Sequence, residues 1–269
     1  MKTPSRCDGP GNATATSRVR WSPAGARGIV TTTCATFEAN IMSDASELVL
    51  EQIEIGPMKN FTYVVGSRST REVALVDPAW DVAALVQHVR DRGFEPVAAL
   101  ITHYHPDHCG GEIRGHAIQG VSELLERESL PVYINKREAE GLKKITGLQD
   151  ADVKPVDTGD RLSIGPVDVE FLHTPGHTPG SQCFRIQNTL VSGDTLFVQG
   201  CGRVDLPGSD VDDMHRSLQK LAELPDETLL FPGHNYGDVP NAVLGDVKQR
   251  NFYMRVPDIE VWRKLMEQG

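Results

Sequence analysis

Four short turns, each directly after an apolar run, constrain the fold of this chain more than any other feature. The first turn spans residues 102–111 and follows the apolar residues 97–101. The other three are marked by glycine or Pro-Gly and follow similar runs. Together the turns carry seven side chains: His103, His105, Asp107, His108, His177, Asp194 and His234. Turns of this kind end strands, so the pattern predicts a fold that presents these side chains at strand ends.

The residue types in this set indicate a metal site. Three histidines and one aspartate within positions 103–108 would pack poorly in an apolar core. Imidazole and carboxylate groups are ligands that suit zinc, iron or manganese. A lone histidine near a strand end is usually a solvated surface residue, but the four turns together are a strong signal. The sequence therefore predicts a metal where the turns meet.

Hydrophobic patterning predicts a layered α/β fold, because short β-branched runs alternate with helical stretches from residue 48 onward. Strands are predicted at residues 50–55, 61–65, 72–76, 97–102, 132–135, 167–172, 183–186, 189–192 and 229–231. Helices are predicted at residues 82–92, 121–127, 136–145, 211–221, 242–251 and 259–268.

The order of the motifs, His-x-His-x-Asp-His followed by Gly-His, Gly-Asp and Pro-Gly-His, resembles the metallo-β-lactamase superfamily over residues 48–236. The resemblance implies a four-layer αβ/βα sandwich with metals at one edge between the sheets. It implies two Zn²⁺ per chain, with iron as the alternative. The implied ligands are His103, His105 and His177 for one ion, Asp107, His108 and His234 for the other, and Asp194 as the bridge.

The same resemblance implies hydrolysis by a hydroxide that bridges the two metals, with Asp107 and Asp194 as the catalytic residues. Metal coordination lowers the pKa of water from about 15.7 to about 7, so a nucleophile is available at neutral pH. Asp77 precedes Pro78 after the apolar residues 73–76. In the superfamily an aspartate here supports the metal loop, while the alternative is a simple turn residue before a proline.

The substrate expected from the resemblance is a thioester. True β-lactamases of the superfamily lack the bridging aspartate, and residues 192–203 are similar to hydroxyacylglutathione hydrolases. Arg203 is a candidate for binding a substrate carboxylate, although a salt bridge to Asp205 is an equal alternative. Tyr236 is a second candidate substrate contact, or a pocket wall. Only 35 residues follow position 234, and Arg203 and Asp205 replace a lysine and a tyrosine of the family, so we expect weak selectivity for glutathione.

A different enzyme class is the main alternative. Residues 200–205 also resemble persulfide dioxygenases, which would hold a single iron through His103, His177 and Asp194. Two histidines and one carboxylate form the facial arrangement of non-haem iron oxygenases. A non-catalytic metal-binding protein or a nuclease is a more remote reading.

Composition limits the partners. The formal charge of −10 disfavours nucleic acid, and the sequence has no apolar run near the ~18 residues that span a bilayer. The expected partner is therefore a small-molecule substrate, and the chain is expected to be soluble, with no membrane association. Five cysteines without paired spacings fit a reducing compartment, where they pack as small apolar residues. The oligomeric state is left open.

The first 41 residues differ from the rest of the chain. They are rich in Ser, Thr, Ala, Gly and Pro and carry more basic than acidic side chains. We expect a disordered extension, or alternatively an organelle-targeting peptide, ahead of one folded domain over residues 42–269 that ends in short helices. The expected location is the cytoplasm, or an organelle matrix if the extension is a targeting peptide.

Overall fold

Two stacked β-sheets form the centre of the fold, and helices pack against the outer face of each. The computed structural model describes residues 30–31 and 47–267. Apolar side chains form three clusters, one between the sheets and one between each sheet and its helices. The layers therefore follow the order helix, sheet, sheet, helix, and the predicted αβ/βα sandwich is confirmed.

Within the described residues the first sheet has seven strands. Across the sheet these are β1 (Val30–Thr31), β2 (Leu48–Ile55), β3 (Asn60–Ser67), β4 (Glu72–Val76), β5 (Glu95–Leu100), β8 (Val132–Asn135) and β9 (Val153–Val156). Strands β1 to β4 pair antiparallel, whereas β4, β5, β8 and β9 run parallel. The parallel strands thus end at one edge of the sheet.

The second sheet has six described strands. Across the sheet these are β10 (Arg161–Ile164), β11 (Val167–His173), β12 (Gln182–Ile186), β13 (Thr189–Gly193), β16 (Leu229–Pro232) and β17 (Ala242–Val243). Strand β12 is antiparallel to both β11 and β13, and β13 is parallel to β16. Strands β11, β13 and β16 therefore also end at one common edge.

Short elements complete the described part of the chain. Two small hairpins are formed by β6 (Gly111–Ile113) with β7 (His116–Ile118) and by β14 (Leu196–Phe197) with β15 (Gly200–Cys201). The helices are α1 (Val82–Asp91), α2 (Pro106–Cys109), α3 (Val121–Leu125), α4 (Ala139–Thr146), α5 (Val211–Ala222), α6 (Leu244–Arg250) and α7 (Ile259–Met266), with a 3₁₀ turn at Phe252–Arg255. Helices α1 and α5 are capped at their N-termini by Asp81 and Asp210, whose carboxylates accept from backbone N–H groups of the first turn.

The central strands are apolar on both faces because both faces of each sheet are covered. In β4, Val73 and Leu75 pack toward the helices of the first layer, while Ala74 and Val76 pack between the sheets. Successive side chains of a strand point to opposite faces, so a strand covered on both sides must be apolar throughout. This is the pattern on which the strand predictions rest.

The predicted elements agree with the structure to within a few residues. Strands β4 and β8 have the predicted bounds, and α1 ends one residue earlier than predicted. Helix α4 begins at Ala139 rather than at residue 136, because residues 136–138 form a turn after β8. Strands β9 and β10 and the helical turn α2 were not predicted, since polar residues or proline interrupt these short segments and leave no continuous apolar run.

The predicted N-terminal extension falls almost wholly on residues outside the described part of the chain. Residues 1–29 and 32–46 are not described, and β1 pairs through its backbone with Ile53 and Glu54 of β2. The extension and the domain boundary at residue 42 therefore stay predictions. Among the described residues, no helix is long and apolar enough to cross a membrane.

The described cysteines pack as predicted. Cys109 belongs to the cluster between the first sheet and its helices, and Cys183 to the cluster behind the second sheet. Cys201 is partly exposed and packs against that second cluster.

Candidate metal centre

The seven candidate ligands converge because four strands that precede them end at one edge of the sandwich, where β4 also ends. The turn after β5 holds His103, His105, Asp107 and His108, and Asp77 follows β4 in the same sheet. His177, Asp194 and His234 follow β11, β13 and β16 of the second sheet. All five strands approach this edge with their carboxyl ends, so the turns of the two sheets face each other.

Three histidines form a first set, which we call the imidazole group. It consists of His103, His105 and His177, whose ligand atoms lie within 4.8 Å of one another. His105 Nδ1 is 3.0 Å from His177 Nε2, and the His103 ring centroid is 4.7 Å and 4.8 Å from those of His105 and His177. The group joins the first turn to the turn after β11, and so joins the two sheets.

A second set, the mixed group, consists of Asp107, His108 and His234. The Nε2 atoms of His108 and His234 are 3.2 Å apart, and Asp107 Oδ2 is 3.5 Å from each of them. Helix α2 begins with Pro106 at its first position and so carries Asp107 and His108 on one short turn. This group also draws its members from both sheets.

Asp194 lies between the two groups. Its Oδ2 is 3.3 Å from His234 Nε2 and 3.6 Å from His177 Nε2, and its Oδ1 is 3.5 Å from His108 Nε2. A Cβ atom at position 233 would lie 2.3 Å from Asp194 Oδ1, so the neighbouring turn can approach only with glycine there. One carboxylate therefore contacts members of both groups.

Two buried polar atoms at the centre support a cation at this place. His103 Nε2 and Asp194 Oδ1 are shielded from solvent and have no hydrogen-bond partner among the described residues. Such orphaned atoms are rare in folded proteins, since each costs free energy. Both are electron-pair donors in a cluster of nitrogen and carboxylate ligands, so the donor set fits a divalent metal.

Outer contacts fix the orientation of three histidines, because in each the Nδ1 atom meets an oxygen. The pairs are His108 with Asp77 Oδ2 at 2.9 Å, His177 with the Arg203 carbonyl at 2.8 Å and His234 with the Met58 carbonyl at 3.0 Å. Carboxylate and carbonyl oxygens accept hydrogen bonds, so each Nδ1 carries the hydrogen. Nε2 is then the ring nitrogen that faces the centre as the ligand atom.

Asp77 holds the first turn as well as His108. Its Oδ1 accepts from the Thr102 backbone N–H at 2.8 Å, and its Oδ2 accepts from the Thr102 hydroxyl at 2.6 Å. Thr102 Oγ1 is also 3.0 Å from His103 Nδ1. The structure therefore favours the supporting role of Asp77 over that of a simple turn residue, and it adds Thr102, which the sequence did not single out.

A second supporting pair acts on Asp107. Asn60 Nδ2 donates to Asp107 Oδ2 at 3.0 Å and to the Asp107 carbonyl at 3.1 Å. Trp80 Nε1 donates to Asn60 Oδ1 at 3.0 Å. An indole nitrogen can only donate, so it fixes which end of the amide faces Asp107. Sequence reasoning missed both residues; the one local signal was a polar residue at the start of the apolar strand β3.

The two groups differ in charge preference. Burial, with the neighbouring His177, lowers the pKa of His105 to about 4, and burial keeps the pKa of His103 well below its usual range. Burial also opposes a charge on His108, yet Asp107, Asp194 and Asp77 raise its pKa to about 10. His103 and His105 of the imidazole group thus favour the neutral form, whereas His108 of the mixed group favours the charged form.

The two candidate substrate residues lie in different surroundings. Arg203 forms a bidentate ion pair with Asp205, with Nε and Nη2 at 2.8 Å and 2.7 Å, and both side chains are about two-thirds exposed. Tyr236 stacks on His234 with ring centroids 4.5 Å apart and an interplanar angle of 7°. Phe197 meets the Tyr236 ring edge-on, so Tyr236 forms part of a half-exposed aromatic rim beside the mixed group.

Comparison with known proteins agrees with this geometry. The sequence profile of the metallo-beta-lactamase superfamily matches residues 55–234. The hydroxyacylglutathione hydrolase of Nitrosomonas eutropha is 36% identical over 188 residues, a match that covers 68% of this chain and 66% of that protein. The probable polyketide biosynthesis zinc-dependent hydrolase PksB of Bacillus subtilis is 27% identical, covering 77% of this chain and 86% of PksB. Among solved structures, ETHE1 from Myxococcus xanthus superposes with a TM-score of 0.68 at 28% identity, over 81% of this chain and 90% of that one.

Proposed function

The chain belongs to the metallo-β-lactamase superfamily, and from that premise we propose that it is a metal-dependent hydrolase of thioesters of the hydroxyacylglutathione type. The observation that carries the proposal is the contact of Asp194 with both ligand groups. A carboxylate shared between two ligand sets can serve two cations at once. The similarity to hydroxyacylglutathione hydrolases supports the thioester.

In this proposal the imidazole group would hold one metal ion, the mixed group would hold the other, and Asp194 would serve both. Zinc is the metal we propose, supported by the zinc-dependent hydrolases among the relatives. When bound, the metals would act as Lewis acids and lower the pKa of water from about 15.7 to about 7. Asp77, Asn60 and the carbonyls behind the histidines hold the ligands in their present orientation, so little rearrangement accompanies binding.

A thioester suits the groups that line this site. Its leaving thiol has a pKa of about 8.5, so it departs as a thiolate without a proton donor, whereas an amide nitrogen must be protonated. Burial, with Asp194 and Asp107, raises the pKa of Tyr236 to about 12. The Tyr236 phenol therefore keeps its hydrogen at neutral pH and can donate a hydrogen bond to a substrate oxygen. We assign Tyr236 to substrate binding, and Arg203 to the same role only if substrate displaces Asp205.

The test compares three substrates on one metal-analysed preparation. We expect about two zinc ions per chain and cleavage of a hydroxyacylglutathione thioester much faster than of an amide or a β-lactam. A chelator should abolish cleavage, and added zinc should restore it. Efficient β-lactam turnover beside an inert thioester would reject the proposal.

One alternative has its own support. The similarity to ETHE1 favours a dioxygenase that acts on a persulfide, with a single iron held by His103, His177 and Asp194. These three residues would be the facial set of two histidines and one carboxylate. Oxygen consumption on glutathione persulfide, together with one iron per chain and no thioester cleavage, would favour the dioxygenase.

A further inference from the structure

Glu138 is a buried acid that no step of the proposed reaction uses. It lies between strand β8 and helix α4, and only 1% of its surface is exposed. Burying a carboxylate is costly unless hydrogen bonds compensate for the lost hydration. The hydrogen-bond partners of Glu138 therefore indicate its role.

Each oxygen of the Glu138 carboxylate binds a different ligand turn. Oε2 accepts from the Tyr104 backbone N–H at 2.7 Å, and Tyr104 stands between His103 and His105. Oε1 accepts from the Gly180 backbone N–H at 2.7 Å, three residues after His177. The Thr178 hydroxyl, which lies 2.7 Å from Ser181 Oγ, also favours the charged form of the carboxylate and lowers its pKa, against the effect of burial. One side chain thus joins the two turns that form the imidazole group.

The turn after β11 packs closely against the side chain of Glu138. A Cβ atom at position 180 would lie 2.3 Å from Glu138 Cγ, so the turn after β11 can reach the acid only with glycine there. Across the resulting gap, His105 Nδ1 and His177 Nε2 are 3.0 Å apart. Contacts through Glu138 therefore connect the two turns that carry these ligand atoms, beside the bond of the Gln182 N–H to the Thr102 carbonyl at 2.9 Å.

We propose that Glu138 is a positioning residue for the imidazole group, fixing the distance between the turn of His103 and His105 and the turn of His177. The proposal rests on the metal site of the proposed function but does not depend on its substrate. Both donors are backbone N–H groups, so both oxygens must be acceptors. In Glu138→Gln one oxygen becomes an NH₂ group that faces an N–H, and one of the two turns is released.

The experiment measures metal binding and coordination rather than turnover. Wild-type chain, Glu138→Gln and the control Glu128→Gln are loaded with Co²⁺, and affinity is measured by competition with a chelator alongside the visible spectrum. Glu128 is also buried, at 6% exposure, but pairs with Arg90 away from the ligand turns. We expect Glu138→Gln to weaken binding of one ion by about 10- to 100-fold and to change the cobalt bands, as loss of an outer-shell partner does. The control should keep both affinities and the wild-type spectrum.

A milder variant keeps the test decisive if Glu138→Gln fails to fold. Thr178→Val removes the hydroxyl that favours the charged form of the Glu138 carboxylate and should weaken binding of the same ion by a smaller factor. Affinities and spectra of both variants equal to wild type, or an equal change in Glu128→Gln, would overturn the proposal. If Glu138→Gln does not fold, an unchanged Thr178→Val would overturn it.

These outcomes are separable from failure of the proposed function. A wild-type chain that binds Co²⁺ but cleaves no thioester would refute the hydrolase and leave the role of Glu138 standing. A wild-type chain that binds no metal would refute both.

Discussion

The ligand side chains of the imidazole group and of the mixed group are held in place by different contacts. The imidazole group has three histidines, lowered pKa values at His103 and His105, and its two turns joined by Glu138 through backbone N–H groups. The mixed group contains Asp107 and lies against Asp77. Both carboxylates raise the pKa of His108. In the first group a carboxylate binds the backbone of the ligand turns, whereas in the second a carboxylate binds a ligand side chain directly. Substitutions should therefore affect the two groups unequally.

The largest effect should come from Asp194, whose carboxylate contacts histidines of both groups. Asp194→Ala removes the shared carboxylate, so two cations would repel each other without compensation. We expect turnover to fall by orders of magnitude and metal content to drop while circular dichroism stays native-like. Asp150→Ala, an exposed acid paired with Lys143, is the control. Near-normal activity in Asp194→Ala would rule out a dinuclear mechanism.

Metal removal should destabilise the fold through both groups together. A ligand at about 1,000 times its Kd stabilises the native state by about 4 kcal/mol, so stripping the ions should lower the melting temperature clearly. Thermal unfolding with and without chelator measures this. An identical melting temperature under both conditions would mean that the folded chain gains nothing from the metal.

Asp77→Asn and Thr102→Val should weaken metal binding at different groups. Asp77 contacts His108 directly and reaches His103 only through Thr102. We expect Asp77→Asn to weaken the ion of the mixed group by about 10- to 100-fold, and Thr102→Val to weaken mainly that of the imidazole group. Stepwise chelator titration of each variant would reveal the assignment. A reversed order of the two effects would contradict it.

A smaller change is expected at Trp80. In Trp80→Phe the indole N–H that orients the Asn60 amide is lost, while Asn60 still reaches Asp107. A hydrogen bond contributes about 1 kcal/mol net, so affinity for the ion of the mixed group should fall by roughly fivefold. An effect confined to the imidazole group would mean that Asn60 does not act through Asp107.

The smallest effect should follow truncation of the first 41 residues. Strand β2 pairs along its whole length with β3, from Leu48 opposite Ser67 to Ile55 opposite Asn60, so it keeps a complete ladder without residues 30–31. A chain beginning at Met42 should retain its metal content and melting temperature. A marked fall would show that the N-terminal residues stabilise the domain.

Sequence reasoning was strong where a signal repeats along the chain and weak where contacts join distant positions. Strands such as β4 and β8 were predicted with correct bounds because their apolar runs are continuous. The seven ligand candidates stood out by residue type and turn context. Glu138 and Asn60 did not, since nothing near them in sequence reveals which turns they meet. Their roles depend on hydrogen bonds that span 34 to 47 positions.

Each ligand group takes members from both sheets, and this arrangement affects the conformational entropy of the unfolded chain. His105 and His177 are 72 positions apart, and His108 and His234 are 126 apart. An ion held by such a pair closes a long loop, much as a disulfide does, and loop-closure entropy grows with loop length. The site also cannot assemble before both sheets have formed and stacked. A metal bound here would act as a reversible cross-link between the two halves of the chain. It could form only after the two sheets have stacked.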